Sequence, residues 1–340
     1  MTQAQPRRIV LAARPQGMPV DADFRLETFD MPAPRDGQVL LKTRYLSVDP
    51  YMRGRMDDRK SYVPPVAIDA VMGGGGIGEV LASRHPDFQA GDLAVGTTGW
   101  QTHSVVEGAM LRKIDPALAP LTTALGVLGM PGFTAWSGLK FIGQPKAGET
   151  VVVSAASGAV GSLVGQLARK AGARAVGIAG GARKCAFLRD ELGFDAAIDH
   201  HAADFAQQLA DACPKGVDVY FENVGGAVWQ AILPLMNKHG RVPLCGLIAL
   251  YNGVPDTAQD DRLSATMRAI LTNSLTIRGF LVSEFNAHLA EFLQETAPDV
   301  SAGRIRYRED IVDGLAQAPR ALMGMLAGQN FGKLLIRVDA

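Results

Sequence analysis

The chain has 340 residues, 47% of them hydrophobic, which is enough for two domains and a sizeable core. Its 34 basic residues balance its 34 acidic residues, so neither nucleic acid nor an anionic membrane surface is expected as its main partner. No apolar run has the length of a membrane span, the start MTQAQPRRIVLAARPQG lacks a signal-peptide core, and the three cysteines show no pairing pattern, so we expect a cytoplasmic protein.

The N-terminal third is rich in Pro and Gly and contains short runs with strand-like composition, which predicts a β-rich domain. The predicted strands are Gln38–Thr43, Ile77–Ala82, Leu93–Gly96 and His103–Val106. At the other end of the chain, the sequence predicts strands at Ile305–Glu309 and Lys333–Val338 and a helix at Pro319–Ala327.

Between these two regions the pattern changes to strands that alternate with helices. The predicted strands cover residues 150–154, 174–179, 195–199, 217–222, 241–245 and 275–281, and the predicted helices cover 159–171, 182–192, 203–212 and 226–237. This alternation is typical of an α/β fold with a doubly wound parallel sheet.

A small-residue turn follows the first of these strands. Val151–Val153 leads directly into Ala155-x-x-Gly158-x-x-Gly161, and the apolar segment Ser162–Ala171 follows. A strand, a tight turn and a helix N-terminus in this order form a cradle for a pyrophosphate, here at Gly158, Ala159, Val160 and Gly161. The alternative is a plain βα turn, but the alternating segments after it favour a dinucleotide site.

The end of the second strand indicates which dinucleotide binds. NAD-binding folds usually carry an acidic residue there, about 20 residues beyond the Gly-rich turn, for the ribose 2′-hydroxyl. This chain has Gly180-Gly181 at that place, followed by Arg183 and Lys184. The pattern therefore favours NADP(H), and the alternative is that the two cations are ordinary surface residues.

Seven stretches of the chain, taken together, carry a resemblance to a known family. They are LSVDPYMRGRM (46–56), VLGMPGFTAW (127–136), IGQPKAGETVVVSAASGAVGS (142–162), GGARKC (180–185), YFENVGG (220–226), YN (251–252) and GQNFGK (328–333). With them the chain resembles the zinc-independent medium-chain dehydrogenase/reductases. Among these it is similar to the leukotriene B4 12-hydroxydehydrogenase/prostaglandin reductase family and its bacterial NADPH-dependent curcumin-reductase-like members.

The resemblance implies a domain organisation and an assembly. A GroES-like β-rich catalytic domain would be formed by residues 1–127 and 301–340, with a Rossmann NADP(H)-binding domain at 128–300 inserted between them. Members of this family usually form homodimers, so a homodimer is expected.

No metal site is expected. Zinc-dependent relatives carry a Gly-His-Glu segment, but here Gly74 stands where the histidine would be, and no cysteine precedes Cys185. Three scattered cysteines cannot form a four-cysteine zinc lobe. His200 and His201 are adjacent at a strand end, where side chains are expected to point apart, and no third ligand is evident.

Without zinc, the implied reaction is reduction of the C=C bond of an α,β-unsaturated ketone or aldehyde. Hydride addition to the β-carbon develops negative charge on the carbonyl oxygen, so the protein needs a hydrogen-bond donor there. It also needs a route for protonation of the α-carbon. The expected substrate is a small hydrophobic enone or alkenal.

Tyr251 is the predicted catalytic donor. It follows the fifth strand, at the carboxyl end of the sheet where doubly wound folds bind ligands. The resemblance assigns the Tyr251-Asn252 pair to the developing enolate, beside the ribose of the nicotinamide. The alternative is a loop tyrosine that packs its ring and leaves its hydroxyl in water.

The resemblance also implies further site residues. Cofactor contacts would be made by Lys184 and His200 at the 2′-phosphate, by Asn223, by Cys245 and Phe280 beside the nicotinamide, and by Asn330. His200 departs from the tyrosine of mammalian members, which leaves the strength of the NADPH preference open. Tyr51, Met52 and Met130 are predicted to line the substrate pocket, with ordinary packing as the alternative.

Two other functions remain open at this point. One is an NADPH:quinone reductase of the same superfamily, and the other is a cofactor-binding protein with little activity. The physiological substrate is not specified by the sequence, because pocket shape depends on loops such as residues 256–262.

Overall fold

The computed structural model describes residues 5–253 and 262–338, so residues 256–261 of the loop expected to shape the pocket lie outside the described residues. The chain folds into two compact units. The first runs to Gly126 and resumes at Glu309, and the second comprises Val127–Arg308.

The first unit is β-rich. Its elements are β1 (Arg7–Leu11), β2 (Phe24–Thr28), β3 (Gln38–Ser47), α1 (Tyr51–Gly54), β4 (Gly75–Ser83), β5 (Leu93–Thr97), β6 (His103–Glu107), β7 (Arg112–Ile114), β14 (Glu309–Asp313), α9 (Ala318–Leu326) and β15 (Lys333–Arg337). The larger sheet has the order β14-β15-β3-β4-β5-β7, with β6 also paired to β3, and β1 pairs with β2. Because β15 pairs antiparallel with β3, distant parts of the chain build one sheet.

The second unit has the α/β fold predicted from the alternating pattern. Its elements are α2 (Met130–Gly138), β8 (Thr150–Val153), α3 (Gly161–Lys170), β9 (Arg174–Ala179), α4 (Ala182–Ala186), β10 (Ala196–Asp199), α5 (Phe205–Ala212), β11 (Val217–Phe221), α6 (Gly226–Ile232), β12 (Met236–Leu244), α7 (Arg262–Thr272), β13 (Thr276–Gly279) and α8 (Leu289–Ser301). The strands form one parallel sheet in the order β10-β9-β8-β11-β12-β13.

This strand order reverses direction between β8 and β11. In doubly wound folds, ligands bind outside the carboxyl ends of the strands at such a reversal. All four residues of β8 are buried, as expected for a strand of a parallel sheet that is covered on both faces. The candidate site is therefore expected where β8 and β11 end.

The prediction of a strand at Ile305–Glu309 is wrong, because the observed strand, β14, begins only at Glu309. The backbone N–H groups of Arg304 and Ile305 donate to the carbonyl of Asp299 and close the end of α8. The N–H of Arg306 donates to the side chain of Gln166 on α3 at 2.9 Å. These bonds hold residues 304–306 within the second unit, so its boundary falls after Arg308 rather than near residue 300.

Two predicted helices are shorter than expected. The helix predicted at 226–237 ends at Ile232, a 3-10 turn at Leu233–Leu235 contains Pro234, and β12 begins at Met236. Proline offers no N–H to continue an α-helix, which explains the early end. The helix predicted at 182–192 is α-helical only to Ala186 and continues as a π-helical turn over Phe187–Glu191.

Of the helices within residues 5–253 and 262–338, none is both long enough and apolar enough to cross a bilayer.

Candidate functional site

The turn predicted to hold a pyrophosphate follows the end of β8. The N–H of Gly158 donates to the carbonyl of Ala155 at 2.9 Å, and the N–H of Ser162 donates to the carbonyl of Gly158 at 3.0 Å. A Cβ atom on Gly161 would lie 2.6 Å from the oxygen of Ala155, so no larger residue fits there without a shift. The turn closes directly into α3, where the N–H groups of Leu163 and Val164 both donate to the carbonyl of Val160 at 3.1 Å.

A second cluster forms where β9 and β10 end. Gly181 has a φ of 89°, and its carbonyl accepts the N–H of Lys184 at 3.1 Å. Oδ1 of Asp199 accepts the N–H groups of Gly181 at 2.9 Å and His201 at 3.0 Å. The geometry therefore brings Lys184 and the two histidines to the edge predicted for the 2′-phosphate.

The expectation that His200 and His201 point apart is wrong. Their ring centroids lie 4.0 Å apart, and a Cβ on Gly180 would lie 3.0 Å from Nε2 of His200 and 2.9 Å from Nε2 of His201. The reason is that β10 ends at Asp199, so both histidines occupy a turn in which strand alternation does not apply.

The ionisable groups at the ends of β9 and β10 influence one another's pKa values. The pKa of His200 is lowered, first by burial and then by His201 and Lys184, while Asp199 opposes the shift. The pKa of Asp199 is lowered mainly by the two backbone N–H groups that it accepts. Oδ1 of Asp199 therefore helps to shape the turn that carries the two histidines.

The ends of β8 and β11 are joined by hydrogen bonds between side chains and backbone. Nδ2 of Asn223 donates to the carbonyl of Ser154 at 2.9 Å, and the N–H of Asn223 donates to Oγ of Ser154 at 2.9 Å. The hydroxyl of Ser154 in turn donates to Oε1 of Glu222 at 3.1 Å. Asn223, predicted as a cofactor contact, is therefore fixed at the reversal point of the sheet.

A cleft of about 370 Å³ opens at the ends of β12 and β13. It is lined by Leu244, Cys245, Gly246, Leu247, Tyr251, Gly279, Phe280, Leu281 and Glu284. Three residues predicted separately, Tyr251, Cys245 and Phe280, thus meet in one cavity. The hydroxyl of Tyr251 lies 3.4 Å from the position that a Cβ on Gly246 would take.

The walls of this cleft are apolar and firmly packed. Phe280 packs edge-on against Phe221, with ring centroids 6.2 Å apart, and against Phe285 at 6.0 Å. Burial, with a smaller contribution from Glu222, raises the pKa of the Cys245 thiol to about 12. Cys245 is therefore a neutral wall residue rather than a thiolate nucleophile.

The remaining predicted site residues lie elsewhere in the two units. Met52 is 1% exposed in the core of the first unit, which agrees with the packing alternative. Tyr51 is partly buried with the guanidinium of Arg55 above its ring, and burial raises its pKa. Asn330 belongs to the first unit and its amide donates to the carbonyl of Gly332. Met130 begins α2 and is 40% exposed.

Gly74 lies in a packed environment. A Cβ there would lie 3.1 Å from Cε of Met52 and 3.1 Å from the indole ring of Trp100. A histidine at this position would have to displace one of those buried side chains. Within the described part of the chain, no group of three or more His, Cys, Asp or Glu side chains is arranged to hold a metal ion.

Two residues of the site were missed in the sequence interpretation, namely Ser154 and Glu222. Both lie inside the stretches that carry the family resemblance. The sequence did offer a signal for them: each is a polar residue directly after an apolar strand, at the carboxyl edge of the sheet where ligands bind. Their partnership joins positions 68 residues apart, and so it was not visible as a local motif.

Two family profiles match the chain. One, described as the N-terminal domain of oxidoreductase, covers residues 7–114. The other, described as zinc-binding dehydrogenase, covers residues 159–297.

Similar proteins span almost the whole chain. An NADPH-dependent curcumin reductase of Escherichia coli is 51% identical over 333 residues, covering 98% of this chain and 96% of that protein. An NADP(+)-dependent 2-alkenal reductase of Nicotiana tabacum is 38% identical, covering 98% and 97%. The crystal structure of CurA from Vibrio vulnificus in complex with NADPH is 48% identical, has a TM-score of 0.94, and is matched over 98% of this chain and 99% of its own.

Proposed function

Because the chain belongs to the zinc-independent medium-chain dehydrogenase/reductases, with curcumin-reductase-like relatives, we propose that it reduces the C=C bond of α,β-unsaturated ketones and aldehydes with NADPH. The observation that carries the proposal is the cleft in which Tyr251 meets Cys245 and Phe280. It lies at the carboxyl edge of a doubly wound sheet, where a tyrosine hydroxyl can face a substrate oxygen.

The residues present fit NADP(H). The turn at Gly158–Gly161 suits a pyrophosphate, because Gly161 lacks a Cβ and lets the backbone close to within 2.6 Å of that position at the oxygen of Ala155. Lys184 and His200, beside the bare Gly180, supply a cation and an imidazole for a 2′-phosphate. We assign the pyrophosphate to Gly158, Ala159, Val160 and Gly161, and the nicotinamide side to Asn223, Cys245 and Phe280.

The chemistry of the site divides between the cofactor and the chain. NADPH held there would supply the hydride for the β-carbon. The hydroxyl of Tyr251 donates a hydrogen bond to the carbonyl oxygen, where negative charge develops, and the apolar wall strengthens that bond by excluding water. A proton delivered to the α-carbon from Tyr251 or from water completes the saturated product.

The substrate class follows from the lining of the cleft. Leu244, Leu247, Phe280 and Leu281 favour a small hydrophobic enone or alkenal over a highly charged molecule. We assign Tyr51, Met52 and Met130 to the substrate side on the family resemblance alone. A cytoplasmic homodimer is part of the same proposal, and the three free cysteines suit a reducing compartment.

The proposed reaction is tested by a substrate panel in which loss of NADPH absorbance is followed with enones, alkenals and quinones. We expect turnover of enones and alkenals, with the saturated ketone or aldehyde identified as product by mass spectrometry. Turnover of quinones alone would favour the quinone reductase instead. Tight NADPH binding without turnover of any of the three classes would favour a cofactor-binding protein.

The absence of a histidine at position 74 leads to a prediction about metals. We expect the active enzyme to carry no stoichiometric zinc by elemental analysis, and its rate to be unchanged after treatment with a strong chelator. The reason is that the donor at the substrate oxygen is the Tyr251 hydroxyl, so no Lewis acid is required. A tightly bound zinc whose removal abolishes turnover would contradict the proposed mechanism.

A further inference from the structure

Glu222 is a buried acid that holds together the ends of three strands. Its side chain is 1% exposed. Oε1 accepts four hydrogen bonds, from the hydroxyls of Tyr220 at 2.9 Å and Ser154 at 3.1 Å and from the N–H groups of Val224 at 2.7 Å and Gly225 at 2.9 Å. Its backbone carbonyl accepts the N–H groups of Cys245 and Gly246, at 2.9 and 3.1 Å.

The other carboxylate oxygen of Glu222 is buried and has no partner. Oε2 makes no hydrogen bond, and no Lys, Arg or His forms an ion pair with Glu222 in the described part of the chain. Four donors on one oxygen form the pattern of an ionised acceptor, whereas a proton on Oε2 would have no acceptor. Buried charges are normally paired, so this one calls for a functional explanation.

The negative charge of Glu222 acts at the wall of the cleft. Glu222 is one of the two causes that raise the pKa of the Cys245 thiol, the larger being burial. Asn223, the next residue, is held to Ser154 by two hydrogen bonds at the reversal point of the sheet. Glu222 therefore stands directly behind two of the three residues assigned above to the nicotinamide side, Asn223 and Cys245.

We propose that the Glu222 carboxylate discriminates between the two redox states of the cofactor and favours NADP+ over NADPH. The inference rests on the proposed function, because it takes Asn223 and Cys245 as the nicotinamide contacts. The nicotinamide ring carries a positive charge in NADP+ and none in NADPH. A nearby anion that is shielded from water attracts the charged ring and leaves the neutral ring almost unaffected. The same attraction favours the cofactor's loss of hydride.

Other acidic groups near the cleft do not supply this charge. Glu284 lines the cleft, but its carboxylate pairs with Arg278 at 3.2 Å and accepts the N–H of Leu281 at 2.7 Å. Asp199 lies at the end of β10, on the far side of β9 and β8 from the cleft, and accepts two N–H groups of its own turn. Among these three acids, Glu222 is the one that is buried, and it forms no ion pair in the described residues.

The test measures the dissociation constants of NADP+ and NADPH by calorimetric titration of the whole protein. Glu222→Gln removes the charge, while its amide oxygen can still accept the four bonds at the Oε1 position and its NH₂ group replaces the unpartnered Oε2. We expect the dissociation constant of NADP+ to rise about 10-fold, equivalent to about 1.4 kcal/mol, and that of NADPH to change by less than about 2-fold. Thermal unfolding checks that the variant is folded.

Glu222→Asp is the matched variant, because it keeps the charge and shortens the reach to the four donors. It should preserve the wild-type ratio of the two dissociation constants, even where both rise. Equal weakening of NADP+ and NADPH in Glu222→Gln would overturn the proposal and leave Glu222 a structural residue. A changed ratio in Glu222→Asp equal to that in Glu222→Gln would also overturn it.

If Glu222→Gln does not fold, the dissociation constants of NADP+ and NADPH for the wild-type protein test the proposal instead. The proposal requires wild-type protein to bind NADP+ at least as tightly as NADPH, and any measurable preference for NADPH would refute it. Failure to bind either cofactor would overturn both this inference and the proposed function. Normal binding of both without enone reduction would overturn only the proposed reaction, since the two constants remain measurable.

Discussion

Replacement of Tyr251 by phenylalanine is expected to lower kcat for enones by roughly 10- to 1,000-fold. The substitution removes one hydroxyl and keeps the ring, so the wall of the cleft beside Gly246 should stay in place. The upper end of the range corresponds to the loss of a well-placed oxyanion donor. The lower end applies if a hydroxyl of the cofactor's ribose shares the task.

The kinetic pattern distinguishes this role from substrate binding. A donor that acts mainly as charge develops should affect kcat and kcat/KM together, whereas loss of ordinary binding would raise KM alone. Stopped-flow or steady-state rates with NADPH and deuterated NADPH would show whether hydride transfer limits the rate. Reduction of quinones, where charge is distributed differently, should suffer less in the same variant.

Tyr45→Phe provides a matched control for this measurement. Tyr45 lies on β3 in the first unit, packs against an apolar cluster, and has no role in the proposed site. Its loss of a hydroxyl should leave the rate unchanged. If Tyr251→Phe likewise keeps its enone kcat while the isotope effect shows that hydride transfer is rate-limiting, Tyr251 has no part in the mechanism.

The parts of the fold that could be predicted are those with local causes. The turn at 155–161 is visible in sequence because Gly161 has no room for a side chain and because β8 and α3 flank it directly. The alternation of strand and helix predicts the parallel sheet, since each element is short and bounded by turn residues. For this reason the cofactor edge of the second unit follows well from the sequence.

Two of the elements that were missed, α2 and β2, lack such local causes. Helix α2 is buried at every residue from Pro131 to Gly138, so it shows no polar face and no helical period. Strand β2 exposes most of its residues, and Arg25 and Glu27 interrupt its apolar character. Neither has a pattern that distinguishes it from a loop or a buried segment, and only packing against neighbours fixes its structure.

The least predictable parts of the candidate site are the long-range contacts between polar groups. Nothing near Glu222 in sequence reveals that Ser154 donates to its carboxylate or that Cys245 and Gly246 donate to its carbonyl. The ring contact of His200 and His201 was likewise missed, because the end of β10 was taken to continue its alternation. Both features depend on where strands end relative to one another.

Lys184 offers the second large effect, on the choice of cofactor. It lies on α4 at the end of β9, and its charge contributes to the lowered pKa of His200. Lys184→Ala is expected to raise the KM for NADPH by about 10- to 150-fold, the effect of losing a charge-assisted hydrogen bond of about 1.5–3 kcal/mol. The KM for NADH, which has a hydroxyl in place of the 2′-phosphate, should change little.

Two further variants separate a specific contact from a general effect of charge. Lys184→Arg keeps the cation on a longer side chain and should recover much of the NADPH affinity. Lys215→Ala removes an exposed cation just before the amino-terminal end of β11, whereas Lys184 lies near the carboxyl end of β9. This variant should leave the KM values for both cofactors unaffected. If the wild type prefers NADH, or if Lys184→Ala weakens NADPH and NADH to the same extent, then Lys184 does not recognise the 2′-phosphate. His200 and His201, whose imidazoles lie together beside Gly180, would then be the groups to replace next.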